Sequence, residues 1–364
     1  MKKLMTLLMT LLGLNTSCGQ KLYENMDVEA FADFAADKHV QVLDVRTAEE
    51  YGEGHLEGAL LADVKSEDFL TQAKAQLSKS QPVAVYCRSG RRSAKAAEML
   101  AAEGYNVTNL EGGILAWKDK GKPTSQVHVD AFVTPEGTTV RFYALMHASI
   151  RIVHDGRELQ IDPVRQLGPR VTDYTTMPKA DYVLVTHEHP DHFDLEAIKL
   201  LSGNGTQLIT NGRCAEMVND AQTKEQASRE NSPISVVSMK NGERLTPYEG
   251  FTVEAVPAYN TTEGRTQFHP KGRDNGYVLT IDGLRIYIAG DTEDIPEMAR
   301  MGTIDVAFLP CNQPYTMTAE QLVRAARMVK PRVLFPYHFG QTDVSGLPAQ
   351  LGGDGIDVRL RHYE

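Results

Sequence analysis

Residues 183–192, VLVTHEHPDH, set a β-branched apolar run directly against three imidazoles and two carboxylates. Val183, Leu184 and Val185 have the character of a buried strand. Pro190 then turns the chain out of that strand. His187, His189, Asp191 and His192 therefore share one short loop at a strand end, where four donor groups can be aimed into a small volume. Imidazole and carboxylate suit Zn2+, with Fe or Mn as alternatives. Four ligands from one loop exceed what a single open catalytic ion needs from it, so two ions per chain are expected. Such a site demands a sheet scaffold that brings further ligands to the same edge.

Two later segments fit that demand. RIYIAGDT ends an apolar strand at Asp291, and VLFPYHFG ends another at His338. Taken alone, Asp291 is a turn residue and His338 a structural histidine; beside the first loop, both read as ligands. Strand patterns dominate from about Phe132 onward. Asp155-Gly156 and Asp282-Gly283 mark hairpin turns. TAEQLVRAARMVKP reads as a helix, with Thr318 and Gln321 forming a capping box and Pro331 closing it. Two sheets covered by helices are the natural reading of this half.

The first half differs. VQVLDV (40–45) and PVAVYC (82–87) suit buried parallel strands, each followed by helix-like sequence. The pattern is that of a small α/β domain over residues 19–122. The polar stretch 123–131 reads as a linker, and a second domain over 132–364 follows.

Residues 1–18 stand apart. Lys2 and Lys3 precede an apolar run from Leu4 to Leu14 that is too short to span a bilayer and reads as a secretory signal. Small residues before Cys18 resemble a bacterial lipoprotein cleavage site, which implies lipidation of Cys18 and an exported, membrane-anchored protein facing the periplasm or on the outer membrane. A plain cleaved signal is the alternative. The formal net charge of −10 argues against nucleic acid as a partner, since phosphate contacts need clustered Lys and Arg. Cys87, Cys214 and Cys311 form an odd, widely spaced set that does not suggest a disulfide framework.

Cys87 sits where a strand ends and a helix begins. Backbone N–H groups and the positive helix end lower a thiol pKa there, and Arg88, Arg91 and Arg92 add positive charge. The loop Cys87-Arg88-Ser89-Gly90-Arg91-Arg92 can hold an anion or a persulfide. This loop, together with LDVRTAEEYGEGHLEGA (43–59) and LEGGILAWKDKG (110–121), resembles a single rhodanese domain. The resemblance implies that Cys87 takes sulfane sulfur from a donor and passes it to a thiol acceptor, with Asp44 and Arg46 near the loop. Binding or regulation without transfer remains open on these residues.

HEHPDH, GDT and YHFG together resemble the metallo-β-lactamase superfamily, whose fold is an αββα sandwich with the site at one sheet edge. LMHASIRIVHDGRELQIDP, with His147 and Asp162, is similar to the branch containing ascorbate-6-phosphate lactonase and the phospholipase-D-type metallo-hydrolases. The resemblance implies that His187 and His189 hold one metal, Asp191, His192 and His338 the second, and that Asp291 bridges them. It also implies hydrolysis of a small ester, lactone or phosphodiester by metal-activated water, with Asp191 helping to orient the nucleophile. One departure stands out: the family's third histidine for the first metal is missing from VPAYN, where Tyr259 and Asn260 stand. His269 is the only histidine between His192 and His338. Its expected role is that missing ligand, a substrate contact or loop structure; His147 is read as a pocket residue or as core. Two other functions compete with the hydrolase. One is a rhodanese-coupled persulfide dioxygenase with one iron, and the other a non-catalytic surface lipoprotein that captures a ligand.

Overall fold

A computed structural model describes residues 22–226, 234–361 and 363; the segment read as a signal, Cys18 included, lies outside the described residues. The first sheet has five strands: β1 (Glu24–Met26), β2 (Gln41–Asp44), β3 (Leu60–Leu61), β4 (Val83–Tyr86) and β5 (Val107–Leu110). Their order is β1-β5-β4-β2-β3, and every pairing is parallel. Parallel strands are buried on both faces, which is why the central strand β4, Val-Ala-Val-Tyr, is apolar throughout rather than alternating. Helices α1 (Val28–Ala35), α2 (Ala48–Gly52), α3 (Phe69–Gln76), α4 (Arg91–Ala102) and α5 (Gly113–Asp119) cover them.

Among the described residues, the rest of the chain makes two seven-stranded sheets and one small ribbon. The first contains β6 (Val129–Val133), β7 (Thr139–Met146), β8 (Ser149–His154) and β9 (Arg157–Ile161) as an antiparallel meander. After the small ribbon β10 (Gln166–Leu167) and β11 (Arg170–Val171), β12 (Tyr182–Val185), β13 (Gln207–Thr210) and β14 (Ser235–Ser238) extend that sheet in parallel. The second sheet repeats the scheme. Its antiparallel strands are β15 (Arg244–Tyr248), β16 (Phe251–Ala258), β17 (Asp274–Ile281) and β18 (Leu284–Ile288). Its parallel strands are β19 (Val306–Pro310), β20 (Val333–Tyr337) and β21 (Asp357–Val358).

An apolar cluster including Phe142, Ile152, Phe251, Phe308 and Phe335 fills the space between the two sheets. The outer faces carry α6 (Leu195–Leu201) and α7 (Gly212–Gln226) on one side, and α8 (Ala319–Val329) and α9 (Leu347–Leu351) on the other. This is the αββα sandwich. The expected capping box on α8 is present: Thr318 Oγ1 accepts from Gln321 N and Gln321 Oε1 accepts from Thr318 N.

The segment read as linker contains the start of the sandwich. Val129, Ala131 and Val133 alternate with His128, Asp130 and Phe132, and β6 begins at Val129. The two domains meet tightly around it. Tyr51 of α2 stacks on His55, whose Nε2 bonds Val127 O at 3.0 Å, and the Tyr51 hydroxyl meets Val129 N at 3.4 Å. Asp130 is gripped by Arg359 at 2.9 Å and by two nitrogens of Arg361 at 2.7 Å each, tying the first sandwich strand to the last turns of the chain.

Candidate metal centre and cysteine loop

In each large sheet the pairing changes from antiparallel to parallel, at β9/β12 and at β18/β19. The carboxyl ends of strands beside such a change leave a crevice where ligands collect. His187 follows β12, Asp291 follows β18 and His338 follows β20, while His147 sits in the turn between β7 and β8. His269 arrives on the loop from β16 to β17.

Two sets of four residues result: His187, His189, His269 and Asp291, and His147, Asp191, His192 and His338, with the donor atoms of each set within 4.8 Å of one another. In the first, His189 Nδ1 lies 3.0 Å from His187 Nε2 and 3.2 Å from His269 Nε2. Asp291 stands between the sets. Its Oδ2 is 3.3 Å from His269 Nε2 and 3.4 Å from His338 Nε2, and its Oδ1 is 3.2 Å from His192 Nε2. Asp191 Oδ2 is 3.2 Å from His147 Nε2 and 3.4 Å from His338 Nε2. The loop, Asp291 and His338 are thus brought together, and His269 and His147 join them.

The donors fit a pair of divalent cations. His192 Nε2, Asp291 Oδ1 and His338 Nε2 are buried, face the same space and, among the described residues, make no hydrogen bond. An unpartnered buried polar atom costs about 1–3 kcal/mol, so three at one place call for a shared partner. Burial drives His187 well below the usual imidazole range and His269 down to about 4, so both present neutral lone pairs. At His338 burial acts the same way, but Asp291 and Asp191 outweigh it and lift the imidazole to about 9. His192 is likewise raised against its burial, by Asp291, Asp191 and Asp162. Protons on these two rings balance the carboxylates without metal, and cations would displace them.

A carboxylate behind the loop orients the imidazoles. Asp162 is fully buried at the end of β9; it accepts from Thr186 N, Thr186 Oγ1 and His192 Nδ1, each at 2.8 Å. The single hydroxyl proton of Thr186 is spent on Asp162, so its oxygen accepts from His187 Nδ1 at 3.0 Å. Both rings therefore carry their proton on Nδ1 and turn Nε2 to the centre. His147, Asp162 and His338 all have positive φ, of 55°, 42° and 46°. Left-handed backbone at three non-glycine residues of one site is strain that the surrounding sheets hold in place. Gly290 belongs to the same packing: its φ is 64°, and a Cβ there would sit 2.9 Å from Asn275 O.

The departure at VPAYN has a structural answer. Asn260 donates its amide nitrogen to Tyr315 O at 2.7 Å, which turns its oxygen toward His269 Nδ1 at 3.3 Å. Asn260 thus steadies His269 from behind. Buried Glu293 clamps the same strand end through one oxygen, which accepts from the backbone N–H and hydroxyl of both Thr261 and Thr262.

In the first domain, Cys87 follows β4 and is buried, with Ser93 Oγ 3.3 Å from its sulfur. Burial alone would raise the thiol; hydrogen bonds from the Ser93 hydroxyl and from the backbone N–H groups of Ser93, Ser89 and Gly90 outweigh it and bring Cys87 below its usual range. Gly113, with φ 60°, allows α5 to start against this loop, since a Cβ would collide with Cys87 O and Arg88. Asp44 and Arg46 form a buried pair at 2.6 Å, and Tyr86, the residue before Cys87, donates to Asp44 at 2.7 Å. Arg92 is held by Glu50 through two bonds of 2.6 and 2.7 Å.

Thr186, Glu293, Ser93 and Glu50 went unremarked in the sequence, where Asn260 was noted only as standing in place of the missing histidine. Two of the four had a positional signal: Thr186 immediately precedes the histidine loop, and Ser93 lies in the first turn after Cys87.

The Beta-lactamase superfamily domain matches residues 157–339, and the Rhodanese-like domain matches residues 27–120. A UPF0173 metal-dependent hydrolase of Thermococcus onnurineus is 31% identical over 206 residues, covering 55% of this chain and 84% of the relative. One from Ligilactobacillus salivarius is 32% identical over 196 residues, covering 53% and 82%. The crystal structure of a candidate metal-dependent hydrolase from Parabacteroides distasonis is 44% identical with a TM-score of 0.56, covering 65% of this chain and 100% of its own. A sheet sandwich with paired donor sets, preceded by a cysteine-loop domain, thus places the chain in the beta-lactamase superfamily as a metal-dependent hydrolase of the metallo-β-lactamase fold with an N-terminal rhodanese-like domain.

Proposed function

We propose that the second domain hydrolyses a small ester, lactone or phosphodiester with two divalent ions, zinc by preference of the donor set, held by His187, His189 and His269 on one side and by Asp191, His192 and His338 on the other. The observation that carries this reading is Asp291, whose two oxygens face both sets at 3.2–3.4 Å. Bound there, the cations would supply Lewis acidity and a water of lowered pKa. The protein's own part is orientation. His189 and Asp191 are the half-exposed members of their sets, so substrate enters on their side. Asp191, steered by His147 and His338, is placed to orient incoming water. Cys87 carries sulfane sulfur between a donor and a thiol, and Cys18 anchors the exported chain to a membrane.

Elemental analysis with a panel of chromogenic ester, lactone and phosphodiester substrates tests the hydrolase. Two divalent ions per chain and hydrolysis abolished by Asp291→Asn are expected. One iron per chain with oxygen consumption and sulfite release would replace hydrolysis with persulfide oxidation. Release of the chain from membranes by Cys18→Ala tests the anchor.

A further inference from the structure

The loop after Cys87 opens into a cavity of about 730 Å³, and five of its lining residues are cationic: Lys65, Arg88, Arg91, Arg92 and Lys95. The cavity has no carboxylate in its lining. Among the described residues Arg92 alone of the five is neutralised, by Glu50; the other four form no ion pair. This concentration of free positive charge occurs in a chain whose formal net charge is −10.

A persulfide-sized anion does not account for it. The N–H groups of Ser89, Gly90 and Ser93 already face the Cys87 sulfur, whereas the cations lie outward, around a volume in the range of whole small-molecule sites. A cavity with one sign of charge raises the local concentration and capture rate of oppositely charged ligands by about 10–1,000-fold. Lys65 belongs to the segment after β3 and Lys95 to α4, so the charge arrives from two elements and frames the opening.

We propose that the acceptor drained from Cys87 is a small thiol bearing two or more acidic groups, which this cationic bowl selects over neutral thiols. The proposal rests on Cys87 carrying sulfane sulfur. In the loading step the Cys87 thiolate attacks the outer sulfur of thiosulfate; a Cys87–S–S⁻ bond forms and sulfite leaves with the electron pair. In the discharge step the acceptor thiolate attacks the outer sulfur of that persulfide. The new S–S bond forms on the acceptor, the old one breaks, and its electron pair returns to Cys87 as thiolate. Charge balances in both steps, and no external oxidant or reductant enters.

The test uses the full chain loaded with thiosulfate, with persulfide on Cys87 read as a 32 Da mass gain by intact-protein mass spectrometry (about one sulfur atom). Discharge is then timed with mercaptosuccinate, mercaptoacetate, 2-mercaptoethanol and cysteamine, each rate expressed per thiolate. The dianionic thiol is expected to drain the persulfide at least about tenfold faster than the neutral one, with the advantage shrinking at high salt. Lys65→Glu combined with Lys95→Glu should reverse the order toward cysteamine, with unchanged circular dichroism showing that the fold survives. Loading followed by equal discharge rates for all four thiols would overturn the acceptor proposal and leave sulfur carriage intact. Failure of wild-type Cys87 to gain sulfur from thiosulfate or polysulfide would overturn both.

Discussion

Replacing Asp162 by Asn removes one charge and almost no volume, yet the geometry predicts a large effect on metal retention. The carboxylate accepts three hydrogen bonds, from Thr186 N, Thr186 Oγ1 and His192 Nδ1, at 2.8 Å each. An amide has one oxygen and one nitrogen. If the nitrogen turns to Thr186, two N–H groups confront each other in a fully buried place, at about 1–3 kcal/mol. If it turns to His192, the ring must accept at Nδ1, which moves its proton to Nε2 and removes the lone pair facing the centre. Either outcome loosens the ligand. Loss of such a supporting partner lowers metal affinity by about 10–100-fold, or about 1.4–2.7 kcal/mol. Competition against a chromophoric chelator, on protein shown folded by circular dichroism, gives the dissociation constants directly. The second ion should weaken by that factor, and kcat/KM should fall with it. Unchanged affinity for both ions in Asp162→Asn would refute the assignment of tautomers and of the donor set built on them.

Acid should act through Asp130. Its burial favours the neutral form, but Arg361 and Arg359 outweigh that and hold the carboxyl below its usual range. Its stabilisation is therefore present above about pH 4 and lost as pH falls further; Asp130→Ala should cost about 3 kcal/mol at pH 7 and flatten the acid limb of a Tm-against-pH profile. Ser93→Ala removes a hydrogen bond to the Cys87 thiolate, so the pH at which iodoacetamide alkylates Cys87 should move upward, and an unchanged profile would exclude Ser93 from tuning the thiol. Asn260→Ala frees the His269 ring and should lower affinity for one ion by about tenfold, read in the same chelator titration. Thr318→Ala breaks the α8 capping box and should cost about 1 kcal/mol in urea unfolding, with metal content unaffected.

Much of this protein was legible in one dimension because its chemistry is attached to strand ends. Apolar runs that stop abruptly at His187, Asp291 and His338 announce both a sheet and a site, since a buried strand cannot continue into ionisable side chains. The parallel strands of the first domain, the hairpins at Asp155-Gly156 and Asp282-Gly283, and the capping box at Thr318 are equally local, set by composition and backbone preference. Polarity misled in one place. His128 and Asp130 made 123–131 look like linker, although the alternation with Val129 and Ala131 is a strand signal; Asp130 is polar because two arginines from the end of the chain neutralise it.

Contacts between segments remote in sequence belong to the tertiary structure alone. That His269 reaches His189, 80 positions away, follows from the course of the β16–β17 loop and from the hold of Asn260 on the ring. That His147 meets Asp191 and His338 follows from a left-handed turn whose backbone bonds both Tyr363 and His338. Residue type and spacing set which groups a chain can offer to a metal or to sulfur. Which of them share a point in space depends on sheet register and loop path, and these are decided by the packing of the whole chain.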